Sequence, residues 1–249
     1  MPILALDTSS AVAVAVLDDS GAVLSRGADS GQRRHAEQLA LMIVAALAEA
    51  GVDRRELTAV VAGTGPAPFT GLRVGLVTAR TLALALDVPV WGVSSLDALA
   101  APALRAARER GGDNARVLVV TDARRREVYW ALYRADATHA DRVDVRPVLG
   151  PGVAHPAQLA ADGVPDGAVL VGRGAVLYAA ELGRVAAPAS GVAQTDGGPT
   201  VVPPTDPDPA ELGRIALARA AAGVEQPTEP LYLRRPDAVP TAGGKRVLA

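Results

Sequence analysis

The run from Gly63 to Gly75, reading Gly-Thr-Gly-Pro-Ala-Pro-Phe-Thr-Gly-Leu-Arg-Val-Gly, sets a tight glycine- and proline-rich loop at the end of an apolar strand and feeds it into a helix. Loops of this composition approach phosphates or partner backbones closely, because glycine adopts conformations closed to other residues and helix N-termini present free N–H groups. A phosphate-cradling P-loop closes on Gly-Lys-Ser/Thr, whereas the corresponding place here reads Gly71, Leu72, Arg73, and the only lysine of the chain is Lys245. The loop has the form of a phosphate loop without that chemistry.

The chain of 249 residues can hold one large domain or two smaller ones, and 49% hydrophobic residues are ample for a buried core. Twenty-five Lys and Arg against 27 Asp and Glu give a formal charge of −2, which excludes a broad basic face for nucleic acid, so that any RNA contact is local or borrowed. The absence of cysteine removes disulfides, thiol nucleophiles and cysteine-ligated zinc. Met1 to Leu6 lacks a positive leader region, and no unbroken apolar run reaches the ~18 residues of a membrane span, so neither signal peptide nor membrane span is expected. A cytoplasmic home is the expectation.

Three antiparallel strands are predicted to open the chain: Ile3 to Leu6, Val12 to Leu17 and, after the turn Asp18 to Gly21, a strand beginning at Ala22 to Leu24. A helix follows over His35 to Ala50, stopped by Gly51. Then come a buried strand over Ala59 to Ala62, the glycine loop, a helix over Leu72 to Leu86, and a strand within Val88 to Val93 shortened by Pro89. Ser94 or Ser95 caps a third helix, Leu96 to Arg108. Beyond the polar stretch Glu109 to Asn114 the order restarts, with strands at Arg116 to Val120, Glu127 to Tyr133, near Arg142 to Val148, and at Ala168 to Gly172. The restart implies a second subdomain related in plan to the first. Ala187 to Pro209, rich in Pro, Gly, Ser, Thr and Asp, reads as a long connector, Ala210 to Ala222 as a last helix, and the chain from Pro236 as a frayed tail.

The first helix carries Leu-Ala-Leu-Met-Ile-Val-Ala-Ala-Leu-Ala over Leu39 to Ala48 with no polar side, and in the second only Arg73, Thr78, Arg80 and Thr81 interrupt Leu72 to Leu86. A sheet can cover one face of each. The other face needs either a further layer of the same chain or another protein, and a protein–protein face is the favoured reading, with Gly75 and Ala79 spaced to admit a neighbouring helix.

Candidate chemical groups are sparse. Asp7, Thr8, Ser9 and Ser10 end the first strand, where they suit either a nucleotide or metal-bound water, or a turn bonded to its own backbone. His35 has Leu39 in place of a second imidazole one turn on, and His139 and His155 stand apart in loop-like sequence. Arg124, Arg125 and Arg126 could hold a phosphate or an acidic partner, or form a solvated turn. Ser94 and Ser95 lack the surroundings of a nucleophile elbow and suit helix capping. No metal-ligand pair and no nucleophile with its base is recognisable.

The opening Ile-Leu-Ala-Leu-Asp-Thr-Ser-Ser, the segment Val60 to Gly75, Ser-Ser-Leu-Asp-Ala-Leu-Ala after Val93, Thr121 to Tyr133 and Pro230 to Ala238 together resemble the TsaB (YeaZ) family. That family is the dimerization subunit of the bacterial complex that makes threonylcarbamoyladenosine in tRNA. The resemblance implies an α/β fold of the actin-like ATPase (ASKHA) class, two subdomains with mixed five-stranded sheets flanked by helices. It divides the chain into residues 1–108 with the partner-binding helices, 109–235 with the Pro/Gly-rich loop at 187–209, and a flexible tail at 236–249.

It also implies a catalytic paralogue, TsaD, with a His-x-x-x-His metal pair where this chain reads Ser95 and Leu99. The family loop commonly reads Gly-Pro-Gly-Ser-Phe-Thr-Gly-Leu-Arg; here Ala67 and Pro68 replace glycine and serine, against phosphate binding and for a structural loop presenting Phe69 and Arg73. The expectation is a non-catalytic subunit with no cofactor of its own, ATP and metal belonging to partner subunits. Its docking face toward a TsaD-type paralogue is placed at Leu39, Met42, Ile43, Ala46, Leu72, Gly75, Leu76, Ala79 and Arg80. Asp7, Thr8, Ser9, Gly63, Gly65, Phe69, Thr70, Gly71 and Arg73 form the vestigial nucleotide-like loops. A TsaE-type ATPase joins the complex, tRNA is met indirectly, and the chain alone self-associates as a homodimer through the same face. The rival readings are an active ATP-dependent acyl or sugar kinase using Asp7, and an RNA-contacting module using Arg124 to Arg126.

Overall fold

Alternation along Ile3–Asp7 (β1) sends Ile3 and Ala5 to one face and Leu4 and Leu6 to the other, and all four are buried, so this strand lies at the centre of a sheet covered on both sides. The computed structural model describes residues 1–29, 35–110, 114–135, 145–182, 201–202 and 204–234. Val12–Leu17 (β2) and Val23–Asp29 (β3) pair antiparallel beside β1, while Ala59–Gly63 (β4) and Val90–Val93 (β5) continue on its other side in parallel, giving the order β3-β2-β1-β4-β5.

Arg116–Asp122 (β6), Val128–Arg134 (β7), Pro147–Ala154 (β8), Ala168–Val171 (β9) and Val201–Val202 (β10) build a second five-stranded sheet in the order β10-β9-β6-β7-β8. Read from β8, its senses match those of the first sheet read from β3: two antiparallel pairs, then two parallel ones. The α/β class with two mixed sheets is therefore as expected.

Each sheet has an outer and an inner cover. His35–Ala50 (α1) and Phe69–Leu86 (α2) pack side by side over Leu4, Leu6, Val14 and Val60 of the first sheet. Short helices Pro156–Ala161 (α4), Arg173–Leu177 (α5) and Ala179–Leu182 (α6) cover the second around Leu118, Leu170 and Leu159. Between the sheets lie Ser95–Glu109 (α3) and Pro209–Ala221 (α7), and these are exchanged. Helix α3, from the first half, packs on β6, β7 and β9, whereas α7, from the second half, packs on β1, β2, β4 and β5. One shared core of Ile3, Val61, Leu99, Leu104, Val119, Tyr133 and Ile215 results. The expected division at 108/109 lies between the two sheets, yet α7 and the segment Gln226–Leu231 pack back on the first half.

A buried polar joint crosses that core: Tyr133 Oη donates to Asp97 Oδ1 at 2.8 Å, and Arg219 donates to Asp97 Oδ2 at 2.8 Å and to the Val145 carbonyl at 2.8 Å. Burial, together with the Asp97 charge, holds the Tyr133 phenol well above its usual pKa.

Several boundaries differ from the sequence expectation. The strand placed near Arg142 to Val148 is Pro147–Ala154, and residues 142–144 lie outside those described. Gly150 and Pro151 sit inside β8, which is an edge strand with irregular register against β7, where a proline needs no ladder partner. Helix α2 starts at Phe69, just after Pro68. The connector placed at Ala187 to Pro209 contains β10 and the start of α7, its residues 187–200 and 203 lying outside the described ones, as does the tail from Pro236. Helix Phe69–Leu86 is long and apolar enough by composition to cross a bilayer, but Leu72, Leu76, Ala79 and Ala83 lie buried on the sheet and Arg73 and Arg80 face outward, so it is the cover of that sheet.

Candidate functional site

Asp7, at the end of β1, is 1% exposed and both its oxygens are taken. Ser9 donates its backbone N–H at 2.7 Å and its hydroxyl at 2.6 Å to Oδ1, and Ser95, at the start of α3, donates its hydroxyl to Oδ2 at 2.6 Å. Burial raises the Asp7 pKa above 3.8, with a smaller push from Asp206, against the opposing pull of the Ser9 and Ser95 hydrogen bonds. The carboxylate can lie there only because position 63 is glycine: a Cβ on Gly63 would overlap Asp7 Oδ2 and come within 2.9 Å of Ser95 Oγ. The Ser95 hydroxyl also accepts from the Gly65 N–H at 3.2 Å, which pins the glycine loop to the first turn of α3. Ser94 is the cap, accepting from Leu96 N at 3.3 Å. Leu99, at the other position of the expected His pair, is fully buried in the shared core.

Thr8 closes the same cluster from the next position. Its hydroxyl donates to the Gly71 carbonyl at 2.8 Å and accepts from the Gly75 N–H at 3.2 Å. A Cβ on Gly75 would strike that hydroxyl, so the glycine admits the Asp7–Ser9 loop, a correction to the expectation that Gly75 and Ala79 admit a neighbouring helix. Of the nucleotide-like residues, Asp7, Thr8, Ser9, Gly63, Gly65 and Gly71 therefore converge, and Thr70 lies beside them on the wall of a cleft. Phe69 and Arg73 instead turn toward the C-terminal segment.

The cleft, of about 770 Å³, runs between the halves and is lined by Thr8, Ser9, Thr70, Thr121, Arg124 and Arg173, among others. Arg124, Arg125 and Arg126 all hold positive φ, at 62°, 55° and 61°, a left-handed turn that costs each non-glycine residue roughly 1–2 kcal/mol. Of the three, Arg124 reaches the cleft wall, with Asp122 at 3.9 Å. The Arg126 carbonyl lies 3.1 Å from His155 Nδ1, and Arg234 ties the turn to the tail through Glu127 and the Ala123 carbonyl. His139 and the side chain of His35 lie outside the described residues. Among the described residues no three His, Cys, Asp or Glu side chains gather as a metal site would.

The helix faces require the main correction. Leu39, Ile43, Ala46, Leu72, Gly75, Leu76 and Ala79, assigned to the partner face, are buried against the first sheet, and Met42 is half-buried. Only Arg80 of that set is exposed. The sheet claims the bulkiest stripe of each helix, and the outward stripe is apolar as well: Leu41 (71% exposed), Val44 (67%), Ala45 and Ala48 on α1, Val77 (61%) and Leu84 (83%) on α2. The sequence signal was the lack of any polar side; it could not say which residues the sheet takes.

The C-terminal segment runs along α2. Leu231 N–H donates to the Thr64 carbonyl at 2.8 Å and Gly92 N–H to the Gln226 carbonyl at 2.9 Å. Tyr232 stacks on Phe69 with ring centroids 5.0 Å apart, and its hydroxyl accepts from Arg73 Nε at 2.9 Å while the Arg73 guanidinium lies 3.4 Å from the Phe69 ring centre. Arg80 donates to the Thr228 hydroxyl at 2.8 Å and carbonyl at 2.7 Å. Sequence reading placed none of these contacts.

Comparison with known proteins matches residues 28–183 to the TsaD family, described as tRNA N6-adenosine threonylcarbamoyltransferase. An uncharacterized protein of Mycobacterium tuberculosis is 39% identical, the match covering 96% of this chain and 95% of that one. The tRNA threonylcarbamoyladenosine biosynthesis protein TsaB of Escherichia coli is 31% identical over 94% of this chain and 95% of its own length. Among solved structures, YeaZ from Pseudomonas aeruginosa superposes with a TM-score of 0.69 at 31% identity, covering 93% of this chain and 99% of that one.

Proposed function

The chain belongs to the TsaB (YeaZ) family, and from that premise we propose that it is a non-catalytic subunit in the making of tRNA threonylcarbamoyladenosine, docking a TsaD-type paralogue through the outward faces of α1 and α2. The observation that carries the reading is the pair of adjacent helices whose solvent side bears Leu41, Val44, Val77 and Leu84. Water-exposed leucines and valines in two neighbouring stripes favour burial against a second helical surface, each fully covered side chain contributing about 1.5–3 kcal/mol. The loop cluster supports the non-catalytic part, since Asp7 is committed on both oxygens and Ser95 and Leu99 are committed to the carboxylate and the core. On this reading ATP and the metal belong to partner subunits, a TsaE-type ATPase joins the assembled pair, tRNA is met through the complex, and the setting is cytoplasmic. Without its paralogue the chain self-pairs through the same face.

The test is co-purification of this chain with the TsaD-type paralogue of the same cell, followed by reconstitution of tRNA modification with and without it. Stable pairing and modification that stops when the chain is omitted are expected. Failure to pair, with modification proceeding unchanged, overturns the reading.

A second reading draws on the cleft with Arg124 and Arg173 on its wall beside the Asp7 loop: phosphoryl transfer from a bound nucleotide. Calorimetry with ATP and magnesium separates the two, because tight binding that Asp7→Ala removes supports the enzyme.

A further inference from the structure

Arg73, Val77, Arg80 and Leu84 follow one another at spacings of four, three and four, which places them on a single stripe of α2, and all four are exposed. The outward face of this helix is therefore an apolar ridge interrupted by two cations. Both cations are held by the C-terminal segment through uncharged oxygens, Arg73 by the Tyr232 hydroxyl and Arg80 by the Thr228 hydroxyl and carbonyl. Neither makes an ion pair among the described residues. A guanidinium carries five N–H donors, of which Arg73 uses one here and Arg80 two, so each keeps donors for a group that covers it.

We infer that the segment Gln226–Tyr232 is the built rim of the docking face, that it holds Arg73 and Arg80 ready for carboxylates, and that the paralogue's surface opposite α2 is acidic at those two points. The inference rests on the docking reading above and adds what selects the partner. Covering an exposed arginine with an apolar surface leaves a desolvated charge, a penalty that a carboxylate opposite removes through paired, charge-assisted hydrogen bonds. The Phe69–Arg73–Tyr232 stack and the Thr228 contacts fix both guanidinium planes before the partner arrives, which lowers the ordering entropy of association. A second copy of this chain fits less well. Helix α2 carries no Asp or Glu, so its own image in an isologous self-pair offers Arg73 and Arg80 no carboxylate, and the same two residues select for the paralogue over self-association.

The experiment is titration of the purified chain with its TsaD-type paralogue from about 50 to about 500 mM salt, with thermal melts on every variant. The wild-type pair is expected to weaken at least about tenfold over that range. Arg80→Glu is expected to weaken it by about 10–100-fold and to flatten the salt dependence, with Arg80→Lys in between. Thr228→Val with Tyr232→Phe, which keeps both charges but removes the hydroxyl acceptors of Arg73 and Arg80 and leaves the Thr228 carbonyl and the Phe69 ring in place, is expected to weaken pairing by roughly threefold. Salt-insensitive pairing, with Arg80→Glu binding within about twofold of wild type, overturns the inference. If Leu84→Asp then still abolishes pairing, the docking reading stands without it; if the wild-type chain does not pair at any salt, both fall.

Discussion

Ser95 donates its hydroxyl to Asp7 Oδ2 at 2.6 Å across 88 residues of chain, while Ser9 donates twice to the other oxygen, so that each carboxylate oxygen holds a partner within the fold. The contact fastens the end of β1 to the start of α3. A residue type suited to chemistry is used here to hold two loops together.

The sign of the Asp7 shift gives a pH prediction. The folded chain holds this proton more tightly than the unfolded chain, so its contribution to stability is complete below the ordinary value of 3.8 and is lost as pH rises through the raised folded value. Asp7→Asn cannot ionise and loses that slope. Melting temperatures of wild type and variant from about pH 4 to about pH 7 are expected to lie closest at the acid end, where Asn imitates the protonated carboxyl, and to diverge as pH rises, with the wild type falling relative to the flatter variant. A variant profile that falls more steeply with rising pH refutes the account.

Gly63→Ala drives a methyl group into the Asp7 carboxylate and is expected to destabilise by about 1–3 kcal/mol. In an Asp7→Ala background the obstruction is gone, and the same substitution is expected to cost at least about 1 kcal/mol less. A double-mutant cycle by urea denaturation reads the coupling; additive costs would show that the overlap is relieved elsewhere.

Asp97 holds Tyr133 of the second sheet and Arg219 of α7 at once. Asp97→Ala strands the largely buried Arg219 guanidinium and is expected to cost about 3–5 kcal/mol, whereas Tyr133→Phe removes one hydrogen bond and costs about 1–2 kcal/mol. Denaturant midpoints should keep that order, and equal effects would mean that the arginine finds another partner.

On the outward face, Leu84→Asp and Leu41→Asp are expected to weaken pairing with the paralogue about 30-fold or more while shifting the melting temperature by less than about 2 °C. Ala46→Arg and Leu76→Asp, directed at residues buried on the sheet, should instead prevent folding. Intact pairing by a folded Leu84→Asp chain argues against this face.

The sequence made the central strands legible because β1, β2 and β4 are short, apolar on both faces and bounded by Asp, Ser and Gly turns. It also showed two helices with no polar side. It could not show which stripe the sheet would take, because Leu39 and Leu41 look alike to a periodicity count and differ only in what lies beneath them. The edge strand β8 was misplaced because its Gly150 and Pro151 resemble a turn, and only pairing to β7 reveals a strand. Ser95 was legible as a cap, whereas its bond to Asp7 depends on the approach of two loops that no local pattern encodes.

The exchange of α3 and α7 gives each half a beam lodged in the other. Prying the two sheets apart would strip both beams at once, so the halves are latched and the gap between them keeps its width. A subunit braced in this way behaves as a solid wedge: whatever docks on its outer helices meets a shape already set.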